Sequence, residues 1–220
     1  RTLLGVMAVL CLDAAAAVHG LGEERFAAVS IRDYRFSVFN KRTLLFSAFL
    51  VLVALHWGTE LTVYGPFLRT RLGLSDSGVA LYMAGAYLAL ASAAFLVGRL
   101  KFDPVRNRRL LLAGMTLSGL GLILMTVGDV RLSFLFRFLH EGGDGLTGAF
   151  VILTMSRLFE KATIGGSAGI LMALQTTGHM AGSLLFSWLG FRAGLQVPMI
   201  VAGAILLANA AFGLYALPRE

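Results

Sequence analysis

The stretch "LSFLFRFLHEGGDGLTGAFVILTMS", residues 132–156, decides how this chain is read. A bilayer core takes about 20 apolar residues of helix, and this run is long enough. It nevertheless carries Arg137, His140, Glu141 and Asp144 around its middle. Their spacing places all four on one face of an α-helix. A charge exposed to lipid at that depth costs about 2.5–3.5 kcal/mol on insertion scales. Four such groups facing lipid would nearly forbid insertion. The face must therefore look into a bundle interior or a watery cavity and find partners there. Within the helix the available pairs are Arg137 with Glu141 and His140 with Asp144. Gly142, Gly143 and Gly145 would let a neighbouring helix or a solute come close, or let the helix bend.

Composition agrees with a membrane setting. Of 220 residues, 57% are hydrophobic and only 14% charged, with a mean hydropathy of +0.79. That is too little charge to cover a soluble domain of this length. Strand-like alternation is absent, which argues against an outer-membrane barrel. The net charge of +7 reads as Lys and Arg in loops facing anionic lipid, and no nucleic-acid partner is expected. A single cysteine, Cys11, excludes an internal disulfide framework and a Cys-based metal site. No charged segment followed by a cleavage pattern marks a signal peptide.

The apolar periodicity predicts an all-α polytopic bundle. Expected spans are 3–20, 44–67, 78–98, 109–128, 132–156, 164–190 and 195–217, the last six joined by short loops. The domain reading is a leading transmembrane helix over 1–20, a basic interfacial linker over 21–43 and a six-helix unit over 44–217. Basic residues set the orientation. Arg25, Arg32, Arg35, Lys41 and Arg42 lie in the linker, and Arg99, Lys101, Arg106, Arg108 and Arg109 lie in the 99–109 loop. Arg157, Lys161 and Arg219 fall on the same side, against Arg69, Arg71, Arg131 and Arg192 on the other. This bias places the linker and the C-terminus in the cytoplasm of a multi-pass protein of the cell (inner) membrane.

Two further polar constellations sit on other spans. In "HWGTELTVYGP", residues 56–66, His56, Glu60 and Tyr64 share a face with Trp57 beside them, and Gly65 and Pro66 loosen the end of the helix. In "LQTTGHMAG", residues 174–182, Gln175 and His179 are four apart. Tyr82 and Tyr87 are weaker candidates, and Asp13 stands alone. Spans 109–128 and 195–217 carry nothing beyond Ser, Thr and Asn209, so they are expected outside a cavity lined by the others. Gly178 with Gly182, and Gly85, Ala89 and Ala93, mark close helix packing. The polar groups read either as a buried network that only holds helices together or as a functional site, the default for intramembrane ionisable residues.

These features resemble the major facilitator superfamily of secondary transporters over roughly residues 30–217. The stretch "VYGPFLRTRLGLSDSGVALYMAGAYLALASAAFLVGRL" looks like the first helix of a six-helix half, its loop and the next helix. The loop "GRLKFDPVRNRRLLLAG" is similar to the family's basic loop G-x-L-x-D-x-x-G-R-x-R, matching at Gly98, Leu100, Asp103, Arg106 and Arg108. It departs by one extra residue before Asp103 and by Val105 where Gly is usual. "LFRFLHEGGDG…SRLFEKATIGGSAGILMALQTTGHMAG" looks like the fourth and fifth helices of a half. One helix and a basic linker ahead of six helices imply the carboxy-terminal half, with an amino-terminal half carrying an extra leading helix as the other assignment.

The resemblance implies alternating-access transport of a small solute, coupled to a proton or other ion, in partnership with the amino-terminal half of the same transporter and the lipid bilayer. It implies no enzyme activity, no cofactor and no metal. Glu60, Arg137, Glu141 and Asp144 are the candidate coupling groups, since burial of a carboxyl group favours its neutral form and suits proton carriage. His56, Trp57, Glu60, Tyr64, Tyr87, His140, Gln175 and His179 are candidate solute contacts, and Gly98, Asp103, Arg106 and Arg108 a conformational loop. Two alternatives stand beside this reading. One is a non-transporting scaffold or receptor on the same fold. The other is an intramembrane metalloenzyme, in which "HEGGD" supplies His140, Glu141 and Asp144 and either His179 or His56 a third ligand.

Overall fold

A computed structural model describes residues 12, 34, 38–100 and 103–217. The expected leading helix 1–20, most of the linker 21–43 and Lys101 of the basic loop lie outside the described residues. Among those described there are six helices and no strand: α1 (Lys41–Thr70), α2 (Asp76–Gly98), α3 (Pro104–Leu124), α4 (Val130–Leu158), α5 (Ile164–Ala193) and α6 (Gln196–Ala216). Three of them, α1, α2 and α6, are long and apolar enough by composition to cross a membrane. α4 falls short of that measure because of the charges at its centre.

Helix starts follow local side-chain chemistry. Asn40, Ser75, Asp103 and Asp129 each accept a hydrogen bond from the backbone N–H three residues on, at 2.9, 3.2, 2.7 and 2.8 Å. These N-caps satisfy donors that a helix leaves orphaned, and the two aspartates also oppose the positive end of the helix dipole. Asn40 sets the start of α1 at Lys41, so the last three residues assigned to the linker belong to the helix. Asp103 moves the start of α3 to Pro104, five residues ahead of the hydrophobic run. At the far end of α5, Gly194 adopts φ 93°, which a side chain would resist, and its N–H closes the helix on Gly190.

α1 changes pitch midway. Residues Glu60–Tyr64 form a π-helical turn between α-helical segments Lys41–Thr59 and Gly65–Thr70. Pro66 explains it. Proline offers no N–H to the carbonyl of Thr62, and its ring crowds that carbonyl, so the preceding turn widens. The loosening expected at Gly65 and Pro66 thus lies one turn earlier, around Glu60.

Packing divides the helices. α1 lies against α5 and α6, α4 lies against α2 and α3, and α3 meets α6 between them. α1 and α4 are not close-packed, and long polar side chains cross the interval between them. Small residues permit the close crossings. A side chain at Gly182 would collide with the Leu55 carbonyl and one at Gly178 with Val51, while Gly58 faces Gly182 and Ser183 in return. On α4, Gly143 abuts the backbone of Gly114 and Ser118, and Gly145 abuts the Leu90 carbonyl. α4 itself runs unbroken, so its glycines serve approach and not bending. Outward faces are apolar: Leu81, Leu88 and Phe95 on α2, and Leu184, Trp188 and Phe191 on α5, are all more than half exposed. Such a surface is stable in lipid and aggregates in water.

Gly182→Leu drives a side chain into α1 and is expected to cost about 1–3 kcal/mol or more. The readout is a lower melting temperature and a smaller monodisperse fraction of the full-length protein in detergent. Met180→Leu, on the exposed side of the same helix at 63%, should change neither.

Candidate functional site

The charged face of α4 meets the polar face of α1 at the level of the π turn, near the midpoint of both helices. Arg137, His140, Glu141, Asp144 and His56 are all nearly or fully inaccessible, at 5% exposure or less. Glu60 keeps 12% of its side chain open. Six ionisable groups therefore share one buried volume.

Arg137 is the hub at one end. Its Nη2 donates to Glu60 Oε2 at 2.5 Å across the helix interval and to Glu141 Oε1 along its own helix. Its guanidinium carbon lies 4.3 Å from the Tyr64 ring, a cation–π contact in a site shielded from water. Nε and Nη1 make no hydrogen bond. Tyr64, 1% exposed, is the floor on which the arginine rests.

At the other end the two histidines alternate with two acids. His140 Nε2 meets Glu60 Oε1 at 2.9 Å, and His56 Nε2 meets Asp144 Oδ2 at 3.0 Å. Of the pairs expected within α4, Arg137 with Glu141 forms. His140 and Asp144 are 3.9 Å apart, and each finds a shorter partner on α1. Trp57 Nε1 also donates to Asp144 Oδ2, at 2.7 Å. Both histidines are oriented from behind: His56 Nδ1 meets the Val53 carbonyl, and His140 Nδ1 meets the Ser118 carbonyl at 2.9 Å. Carbonyls only accept, so each Nδ1 carries a proton and each Nε2 is the atom turned to the acids.

Ser118 is a site residue that the sequence did not reveal. It lies on α3, one of the two helices expected outside the cavity with nothing beyond Ser, Thr and Asn209. Its hydroxyl donates to Asp144 Oδ1 at 2.5 Å and lies 2.9 Å from His140 Nδ1. A serine among glycines and leucines carries no periodic or charge signal, and only the close approach at Gly143 brings it within reach.

The remaining candidates are more peripheral. His179 on α5 packs edge-on against Trp57, with ring centroids 4.8 Å apart and an unpartnered Nε2. Gln175 is part-buried one turn earlier on α5. Tyr87 on α2 is 48% exposed, with its hydroxyl within reach of Arg137 and of the charges of Glu60 and Glu141. Tyr82 bonds Ser133 at 2.9 Å, and Ser133 donates to the Met125 carbonyl at 2.7 Å, a structural link between α2, α4 and the end of α3. Around the basic loop, Gly98 ends α2, Asp103 caps α3 with the backbone N–H of Arg106, and Arg108 reaches the Leu214 carbonyl on α6.

Three carboxylates face one guanidinium. With both histidines neutral, two negative charges stay uncompensated in a buried site, which is costly. The arrangement calls for added positive charge, whether carried on the imidazoles or as a bound cation.

A family model described as Major Facilitator Superfamily matches residues 44–220. Comparison with curated proteins gives no match.

Removing the guanidinium alone leaves Glu60 and Glu141 facing each other without compensation. Arg137→Met should destabilise by about 3–5 kcal/mol. Adding Glu60→Gln and Glu141→Gln to it should restore most of the loss. Thermal unfolding of the full-length protein in detergent checks both; equal stability of the single and triple variants would show that these charges are not coupled in burial.

Proposed function

The chain belongs to the Major Facilitator Superfamily, whose members carry small solutes across membranes, and on that premise we propose that it is the carboxy-terminal half of a cation-coupled secondary transporter. The observation that carries this reading is the buried cluster joining α1 and α4 at mid-depth. The fully buried Arg137 bonds Glu60 across that interval. A lone half-bundle gains little stability from so many desolvated charges, whereas a transporter needs charge at the midplane that can be compensated or left bare.

The proposed mechanism follows from where the acids stand. α1 and α4 belong to different packing groups and are tied mainly by ionic contacts. With a coupling cation present, proton or other ion, the cluster is neutral and the helices are drawn together. Without it the carboxylates repel across the interval, and the groups favour a wider separation. A cation that binds one arrangement better shifts the population toward it. Glu60, Glu141 and Asp144 are the coupling groups and Arg137 their fixed counter-charge. The solute binds beside them, against Trp57 and His179, with Tyr87 and Gln175 on the flanking helices α2 and α5. An amino-terminal half completes the cavity, with the linker and C-terminus on the cytoplasmic side of the inner membrane. The loop between Gly98 and Arg108 works there as a conformational element, its arginine anchored on α6.

The test is uptake by full-length parent protein in proteoliposomes under imposed proton or ion gradients, with a broad solute panel. Wild type should accumulate one solute class, and Glu141→Gln with Asp144→Asn should abolish gradient-driven uptake while leaving exchange measurable. Gradient-driven uptake that survives with Glu60→Gln added would overturn the coupling role. No uptake by folded, correctly inserted protein would overturn transport.

A further inference from the structure

We infer that His56, Glu60, His140 and Asp144 form a binding site for one divalent first-row transition-metal ion. The sequence offered a metal set only as an alternative to a metal-free transporter: His140, Glu141 and Asp144 of "HEGGD" with His179 or His56. The structure supplies the second histidine from another helix. Each helix contributes a histidine followed four residues later by an acid: His56 and Glu60 on α1, His140 and Asp144 on α4. One ligand atom from each of the four lies within 4.8 Å of all the others.

The atoms form a closed ring in which nitrogen and oxygen alternate. His56 Nε2 to Asp144 Oδ2 is 3.0 Å, Asp144 Oδ2 to His140 Nε2 3.9 Å, His140 Nε2 to Glu60 Oε1 2.9 Å and Glu60 Oε1 to His56 Nε2 3.7 Å. Metal–ligand bonds of 2.0–2.2 Å in a tetrahedron put neighbouring ligand atoms about 3.4 Å apart. Four of the six edges, the nitrogen–oxygen ones, straddle that value, and the remaining two lie within 4.8 Å, so closing them by side-chain shifts completes the coordination.

Three further observations agree. Both Nδ1 protons are held by backbone carbonyls, of Val53 and Ser118, which presents Nε2 as the ligand atom; this is the usual outer-shell support of a metal-bound histidine. The non-ligating carboxylate oxygens are also held, Asp144 Oδ1 by the Ser118 hydroxyl and Glu60 Oε2 by Arg137. One divalent ion with two neutral imidazoles cancels the two uncompensated charges of the buried cluster. Mixed imidazole and carboxylate ligation suits zinc, iron, cobalt or manganese over calcium or magnesium. Glu141 stays outside the set, committed to Arg137.

The inference stands on side-chain geometry and not on transport, and its test needs no gradient. Full-length protein in detergent is dialysed against buffered Zn2+, and metal per chain is measured. Co2+ is then substituted and its visible spectrum recorded. Wild type should hold one ion per chain, show tetrahedral Co2+ bands and melt at a higher temperature with Zn2+. His56→Gln with Asp144→Asn should weaken binding by about 100-fold, and Ser118→Ala, which leaves every ligand in place, by about tenfold. Glu160→Gln, an exposed acid beyond α4, controls for surface binding and should have no effect. Absence of stoichiometric metal in folded wild type, a Co2+ spectrum of the hexaaquo kind, or undiminished binding in the double variant would each overturn the site. The first two need no variant to fold, and any of them leaves the uptake test standing.

Discussion

Burial of charge governs this structure. Three carboxylates and a guanidinium lie among apolar helices, where no residue can be ionised without a partner within a few ångströms. The other features at mid-depth answer that demand. The Tyr64 ring covers the guanidinium, Trp57 and Ser118 donate to Asp144, and two backbone carbonyls orient two imidazoles. Even helix packing is subordinate to it. Gly143 lets α3 come near enough for Ser118 to reach across, and a larger residue at that position would push the hydroxyl away from the carboxylate it serves.

The same demand explains why the site lies where two groups of helices face each other. α1 is packed by α5 and α6 through small residues, and α4 by α2 and α3. Those contacts are largely apolar, apart from hydrogen bonds such as Ser118 to Asp144 and Tyr82 to Ser133. The buried interval between α1 and α4 is instead filled by side chains whose interaction changes sign with their charge. Under the transport mechanism proposed above, this division has a use, because the two groups of helices would be joined by contacts that can be switched.

Much of this was legible in the chain itself. Long apolar runs with few charges gave six helices within a few residues of their observed ends. The spacing of Arg137, His140, Glu141 and Asp144 put them on one face, and His56 with Glu60 on another, before any tertiary contact was known. What sequence could not supply was the pairing across helices. Periodicity favours His140 with Asp144, but their shorter partners, Glu60 and His56, stand on α1. Ser118 was invisible for a different reason: its importance comes from proximity, and a lone serine has no pattern. Tyr64 lay on the right face and packs under Arg137, while Tyr87 reaches Arg137 from α2 and Gln175 lies one turn from His179 on α5.

The widened turn at Glu60–Tyr64 has a further consequence, one of phase. A π turn holds about one residue more than the α turn it replaces, and an α-helix advances about 100° per residue. The segment beyond it is therefore rotated relative to a straight continuation of Lys41–Thr59. That offset lets one helix present His56 and Glu60 to the charged face of α4 and yet bury Phe67 and Leu68 in the apolar core beyond the turn. Two incompatible faces coexist on one rod because the rod is mis-wound between them. A one-residue deletion inside residues 60–64 that restores the ordinary α turn thus rotates the segment after it by about 100° relative to His56, and the apolar seal and the polar cluster can no longer both be in register.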